Sequence, residues 1–446
     1  MKVLLVGNSA REHAMGEALA RDAELYCVMT AKNPGLMDLS AGRAIGDILD
    51  PEYVLKWAKK WGVDFCVVGP EAPLGAGVTD VLEENGIPCA SPSKAAAQIE
   101  LDKSFCRELM EKYECSGRIV YKVFDNAADA SEFIDVFGKP VAIKPLGLTG
   151  GKGVKIVADV PGQLKDLDAA KKYAKKVLKD GIGGAKVIVE EKLEGEEFTI
   201  QAFVDGSYVA PTPAVQDHKF ANDGDKGSFT GGMGSYSNIG NLLPFMQPED
   251  YDTAVGIMRE VVGALKREGH PYKGVMYGQF MLTPEGPKVV EINARFGDPE
   301  AMNTLGVLKT SYREICEAIN EGELANLPIE FAETATVCKY IVPKGYPGRP
   351  VKGKRVRIEG KPKSKVYYAS VDKKKNGLFM SSSRALAFVG TGGTIEEAEK
   401  MARHDLALVK GPVHYRKDIG TQKLIEKRIT HMDELRLRHD KLPLEL

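Results

Sequence analysis

At 446 residues the chain is long for a single core, and usual domain sizes imply about three. Its 61 Lys and Arg nearly cancel its 62 Asp and Glu, so no overall basic field gathers nucleic acid. The apolar share of 43% is ordinary for a globular chain, and no apolar run approaches the roughly 20 residues of a membrane span.

In chain order, KVLLVG at 2–7 predicts a short buried strand rather than a secretory leader, and 10–21 has helical apolar spacing. A second strand over 25–30 runs into a loop at 31–38. A helix over 51–61 and a buried strand over 65–68 follow. Alternating strands and helices imply a parallel, helix-covered sheet, with ligands at the carboxyl ends of its strands. That places 7–11 and 69–77 on one functional edge. The first loop, GNSARE, lacks G-x-G-x-x-G spacing, and no acid ends the second strand, which argues against a nicotinamide dinucleotide. Residues 1–100 form the expected first domain.

Beyond it the spacing predicts a helix over 101–113, a strand over 141–144, a lysine-rich wet helix over 165–179, and strands over 187–191 and 197–204. From 335, strands are expected over 337–342, 365–370 and 385–390, a helix over 395–409, and a basic hairpin tip at 373–375. No internal repeat is visible. The seven cysteines form no C-x-x-C pair and no zinc spacing, so they are expected as core residues in a reducing cytoplasm.

The chemistry concentrates in QFMLTPEGPKVVEINARFGDPE, residues 279–300. It predicts two strands joined at 284–287, with Val289 and Ile292 available for packing. Residues two apart share a strand face, so Glu291 and Asn293 converge and Gln279 on the partner strand can add a third oxygen. Arg295 follows on the same side. Oxygen ligands beside an arginine suit a hard cation holding a phosphate.

Lys144 leads into PLGLTGGKGV, where Gly150, Gly151 and Gly153 let backbone N–H groups approach phosphate oxygens and Lys152 adds a cation. Gly153 stands where a P-loop needs Ser or Thr. A carboxylate about 4 Å from a phosphate charge costs roughly 4 kcal/mol at an effective dielectric of about 20, so a divalent ion between Glu291 and a triphosphate turns repulsion into a bridge. QDHK at 216–219 and FTGGMGSY at 229–236 flank a polar, glycine-rich stretch shaped for a small polar ligand. His218 there is expected to hydrogen-bond its neighbours rather than act as a base.

These motifs, with GPEAPLGAGV at 69–78, LDKSF at 101–105, EEKLEGEE at 190–197 and RKDIG at 416–420, resemble the phosphoribosylamine–glycine ligase family. These are ATP-grasp enzymes of purine biosynthesis, and the resemblance runs nearly end to end. It implies an α/β ATP-grasp fold with an N-terminal doubly wound parallel-sheet domain, a grasp domain at 101–334 with a lid at about 115–195, and a mixed α+β domain at 335–446. It further implies that Lys103 and Lys144 touch ATP phosphates, that Glu190 and the backbone near Leu193 read adenine, and that Glu197 holds the ribose. Gln279, Glu291 and Asn293 would ligate Mg²⁺ or Mn²⁺, and Arg295 would steady the transferred phosphoryl group, with Lys144 and Asp217 also catalytic. Asp217 and Lys219 fall near the glycine and phosphoribosyl groups, and Asn8, Glu71 and Pro73 face phosphoribosylamine. The implied partners are small molecules in the cytoplasm, with no nucleic acid or membrane, and self-association stays open.

Three positions depart from the family pattern. Leu146 replaces an acid, Phe220 stands in place of Arg, and Phe229 in place of Asn. They leave open an ATP-grasp carboxylate–amine ligase with a different acceptor, or a nucleotide-binding protein without catalysis.

Overall fold

The computed structural model describes residues 1–146, 153–159, 162–182 and 184–441. In the first body Lys2–Val6 lies between the parallel strands Glu24–Met29 and Phe65–Val68, with Gly42–Ile45 at the edge. Such a sheet needs helices on its faces, and Pro51–Trp61 shows how the sequence supplies one. Asp50 caps its first turn by accepting from the N–H groups of Glu52 and Tyr53, Pro51 opens it, and Gly62 ends it in the left-handed region. Val54, Leu55 and Ala58 make its buried stripe.

The loop expected at 31–38 is instead largely a helix, Pro34–Leu39, because Asn33 caps it and Pro34 supplies a preset first-turn φ. The helix expected over 101–113 breaks at Asp102, whose extended backbone and capping carboxylate start a new helix, Lys103–Lys112. At 395–409 the helix stops at Leu406, and Val409–Lys410 is a strand.

A second body is the antiparallel sheet of Tyr121–Phe124, Val187–Glu191, Val141–Pro145 and Lys155–Ile156. The helices Ala127–Phe137 and Leu167–Lys179 supply part of its core, which includes Ile134, Ile143, Val177 and Val189 and is separate from the main one.

The largest sheet is antiparallel and runs, in spatial order, Gly286–Asn293, Lys273–Thr283, Glu196–Asp205, Val215–Asp217, Gly234–Ser237, Ala335–Pro343, Leu386–Gly392 and Lys365–Tyr368. It crosses residue 334 without interruption. Its main core is continuous with that of the parallel sheet, from Val3 to Leu435. The fold is thus mixed α/β, an N-terminal parallel sheet joined to antiparallel sheets. Among the described residues no helix is long and apolar enough to cross a membrane.

Candidate active site

The strands Lys273–Thr283 and Gly286–Asn293 place Gln279 opposite Glu291. A bulge follows, since Phe280 already faces Val289 and Val290 is the extra residue. Arg107 from the helix Lys103–Lys112 takes the carbonyls of Val289 and Val290, both at 2.8 Å. The bulge is therefore satisfied and its position fixed.

Asn293 Nδ2 donates to Glu291 Oε1 at 3.2 Å. Gln279 Oε1 accepts from Lys219 Nζ at 2.7 Å, and its Nε2 donates to Glu197 at 2.6 Å. Burial alone would raise the Glu291 carboxyl, but Lys219, Lys144, the Asn293 bond and Lys103 hold it at about 2. It is ionised at neutral pH. An ionised carboxylate with two amide oxygens, each with two lone pairs, fits a hard cation. Among the described residues no three His, Cys, Asp or Glu side chains gather to hold a metal.

Lys144 sits on a wholly buried strand, and its cost is offset by Glu190 at 2.5 Å. Glu190 also meets Arg107 at 2.9 Å. Burial would raise its carboxyl, yet Arg107 and Lys144 bring it below the ordinary range. The carboxylate expected to read adenine is thus already held by two cations. Leu193 lies in the link between Val187–Glu191 and Glu196–Asp205. Lys103 donates to the carbonyl of Leu146 at 3.5 Å, and the Gly153 carbonyl accepts from Tyr173 at 2.8 Å. Gly150, Gly151 and Lys152 lie outside the described residues.

Asp217 pairs with Ser235, and its Oδ1 is buried without a hydrogen-bond partner. Burial pushes its carboxyl up to about 8 against the pull of Lys219. Burial would lower the Lys219 ammonium, but Asp217, Glu197, Glu291 and Glu300 together raise it, so it stays charged. His218 corrects the expectation that it bonds its neighbours. It is buried beside Tyr236 and neither ring nitrogen has a partner. Burial, Arg416 and Arg428 lower it to about 3, so it stays neutral and unsuited to take a proton.

Arg295 reaches the other edge. Its Nη2 lies 2.7 Å from Glu100 and its Nε 3.3 Å from Glu71. Glu71 starts a helix just after the strand Phe65–Val68, so the carboxyl edge of the parallel sheet does face the hairpin. Gly7 and Gly69 open this edge, and a Cβ on Gly7 would lie 2.6 Å from the Glu12 side chain. Burial would raise Glu71, but Arg295 and Arg11 hold it at about 2, whereas burial takes Glu100 to about 7 despite Arg295. Asn8 accepts from the N–H of Thr30 at 3.1 Å, and Pro73 is buried. Glu100, Arg107 and Glu300, which holds Tyr277 at 2.9 Å, were not foreseen. The partners of Glu100 and Arg107 lie far away in sequence, and no local spacing marks them.

Family models described as phosphoribosylglycinamide synthetase N, ATP-grasp (A) and C domains match residues 1–100, 101–301 and 336–422. The chain belongs to the phosphoribosylglycinamide synthetase family. It is 52% identical over 440 residues to the phosphoribosylamine–glycine ligase of Methanobrevibacter smithii, covering 98% of this chain and 100% of that one. Against the enzyme of that name from Methanocaldococcus jannaschii it is 51% identical over 446 residues, with coverage of 98% and 100%. The crystal structure of phosphoribosylamine–glycine ligase from Thermotoga maritima superposes with a TM-score of 0.79 at 26% identity, covering 94% of this chain and 100% of that one. The biotin carboxylase domain of Hydrogenobacter thermophilus 2-oxoglutarate carboxylase, solved with MgADP and bicarbonate, has a TM-score of 0.69 at 15% identity, covering 99% and 95%, and shares the fold alone. Within this synthetase family member, two of the unusual residues form one contact. Phe220 and Phe229 pair across a short hairpin with ring centroids 4.6 Å apart.

Proposed function

We propose that the chain is an ATP-dependent ligase joining glycine to 5-phosphoribosylamine through glycyl phosphate, yielding glycinamide ribonucleotide, ADP and phosphate in cytoplasmic purine biosynthesis. One observation carries the reading. In a chain matched end to end by relatives of that name, an ionised Glu291 converges with Lys219, Lys144 and Lys103 on one hairpin.

Glycine's carboxylate attacks the γ-phosphorus of ATP and ADP leaves. The amine of phosphoribosylamine then attacks the acyl carbon, and phosphate departs. Activation is needed because a free carboxylate is a poor acyl donor to an amine. The chain's share is positioning and charge neutralisation, so no protein nucleophile is required. Lys103 and Lys144 neutralise ATP phosphates, Glu190 and the backbone near Leu193 face the adenine, and Glu197 the ribose. Arg295 steadies the moving phosphoryl group. In this reading the Asp217 carboxyl, its Oδ1 unpartnered, and Lys219 lie near the glycine and phosphoribosyl groups. Asn8, Glu71 and Pro73 border the phosphoribosylamine. Gln279, Glu291 and Asn293 would hold Mg²⁺ or Mn²⁺, which would screen the phosphates from Glu291. The division into 1–100, 101–334 and 335–446, with a lid at about 115–195 whose glycine-rich segment 147–153 would keep water off the acyl phosphate, belongs to the same reading.

The test is ADP formation by purified protein with ATP, Mg²⁺, glycine and phosphoribosylamine generated in situ. ADP release that needs both substrates and stops on chelation supports the ligase. ATP binding without ADP release under those conditions overturns it.

A further inference from the structure

The segment after residue 413 grips the site from behind. Arg416 is wholly buried, which is costly unless each N–H finds a partner. Its Nε donates to Asp418 at 2.8 Å, its Nη2 lies 2.7 Å from Asp418 and 3.0 Å from Asp225, and its Nη1 donates to the carbonyl of Phe220 at 3.2 Å. Lys417 N–H donates to Asp223 and Gly224 N–H to Asp418, both at 2.8 Å, while the His414 ring meets the carbonyl of Ala221 at 2.9 Å. Arg428 also binds Asp225. The hairpin of Phe220–Asn222 and Lys226–Phe229 has only short strands with an irregular register, and an isolated hairpin is marginal in water. Its placement is therefore borrowed from this segment.

At the hairpin's base, both the N–H and the hydroxyl of Thr230 donate to the Lys219 carbonyl at 2.8 Å. Lys219 Nζ in turn reaches Gln279 at 2.7 Å and Glu197 at 3.7 Å. We propose that Arg416 is a positioning residue for the ligase reaction. By tying Phe220 and Asp225 to the RKDIG segment, it sets the hairpin whose base holds Lys219 over the Gln279–Glu291 pair. This rests on the ligase reading above, and it gives the RKDIG motif a physical task.

The experiment is a double-mutant cycle of Arg416→Met with Lys219→Gln in the ADP assay, read beside hydrogen exchange at the amides of 220–230. Arg416→Met should lower kcat about 10- to 100-fold, the size expected for misplacing a catalytic group by about 1 Å, with KM for ATP nearly unchanged. The Thr230 amide should exchange faster, and Arg416→Lys should restore activity only in part, because a point charge does not replace the fork. On the Lys219→Gln background, Arg416→Met should add less than about 2-fold, since the group it positions is gone. Losses that multiply in the double variant, or an Arg416→Met enzyme with wild-type kcat and only a lower Tm, overturn the proposal. If Arg416→Met does not fold, Asp225→Asn removes one partner while Asp418 still pairs Arg416, and the same split in a milder form is required. A wild-type protein without ligase turnover overturns the functional reading instead, and the exchange rates still decide whether Arg416 holds the hairpin.

Discussion

Replacing Glu291 by Ala removes a carboxylate that three lysines keep ionised, and with it the negative member of the oxygen set. We expect kcat to fall about 100-fold or more in a variant that still folds, with a lower melting temperature because Lys219, Lys144 and Lys103 lose the carboxylate that offsets them. Turnover and a thermal melt check both halves, and a fully active variant would remove Glu291 from the site. Arg295→Lys should cost at least about 10-fold in kcat, because one ammonium does not span Glu71 and Glu100 as the planar fork does. Much of this was legible locally. The period of two placed Glu291 beside Asn293, and the pairing put Gln279 opposite. Glu100 was not legible, because its carboxylate accepts from the N–H of Ala294, 194 residues away, across a fold that no spacing encodes.

Between elements, a few buried polar side chains join pieces that the apolar core also packs together. Glu190 joins the strand Val187–Glu191 to the helix Lys103–Lys112 through Arg107, and to Val141–Pro145 through Lys144. Glu190→Gln leaves two buried cations without their carboxylate and should cost about 3–5 kcal/mol, read from denaturant unfolding. The helix Ala10–Leu19 docks on Lys365–Tyr368 through His13, whose Nδ1 accepts from the Tyr368 N–H at 2.9 Å. Gly35 packs so closely that a Cβ there would lie 1.9 Å from the imidazole. Burial lowers His13 from 6.5 to about 4, with Glu17 opposing. The unfolded chain therefore binds the extra proton between those values, and this contribution is present above pH 6.5 and lost as pH falls toward 4. Glu100 and Asp217, both raised, act in the opposite sense over the same window. The clean readout is thus a difference: the stability of wild type minus His13→Asn should grow by roughly 2–3 kcal/mol from pH 4.5 to 6.5. A flat difference would mean that His13 charges without cost. Elements with local signals were readable, such as Pro51–Trp61 with its cap and glycine stop. Even Pro34–Leu39 carried a signal in Asn33-Pro34, but composition suggested a loop. The helix Gln422–Asp440 was harder, since it buries only Leu424, Met432 and Leu435 among many charges.

Across the whole molecule, the sheet order defeats reading from sequence. Ala335–Pro343 lies between Gly234–Ser237 and Leu386–Gly392, and only tertiary packing decides that. The body of strands at 121–191 has its own small core, whereas the main core is shared from Val3 to Leu435. Hydrogen exchange in mild denaturant should therefore open Ile143 and Val187–Glu191 before Lys2–Val6 and Glu196–Asp205, as a cooperative unit of lower stability. Simultaneous exchange would show one indivisible core. The shared core also sets a timetable for synthesis. Arg11 donates to the carbonyl of Phe296, and Asn33 to that of Tyr368, 335 residues further on. At about 5–20 residues per second, a ribosome needs roughly 20–70 s to deliver Tyr368. For that interval Asn33 and the helix Ala10–Leu19 wait without the contacts that Tyr368 makes with them, so the first-made part of the chain is finished only when a late one emerges.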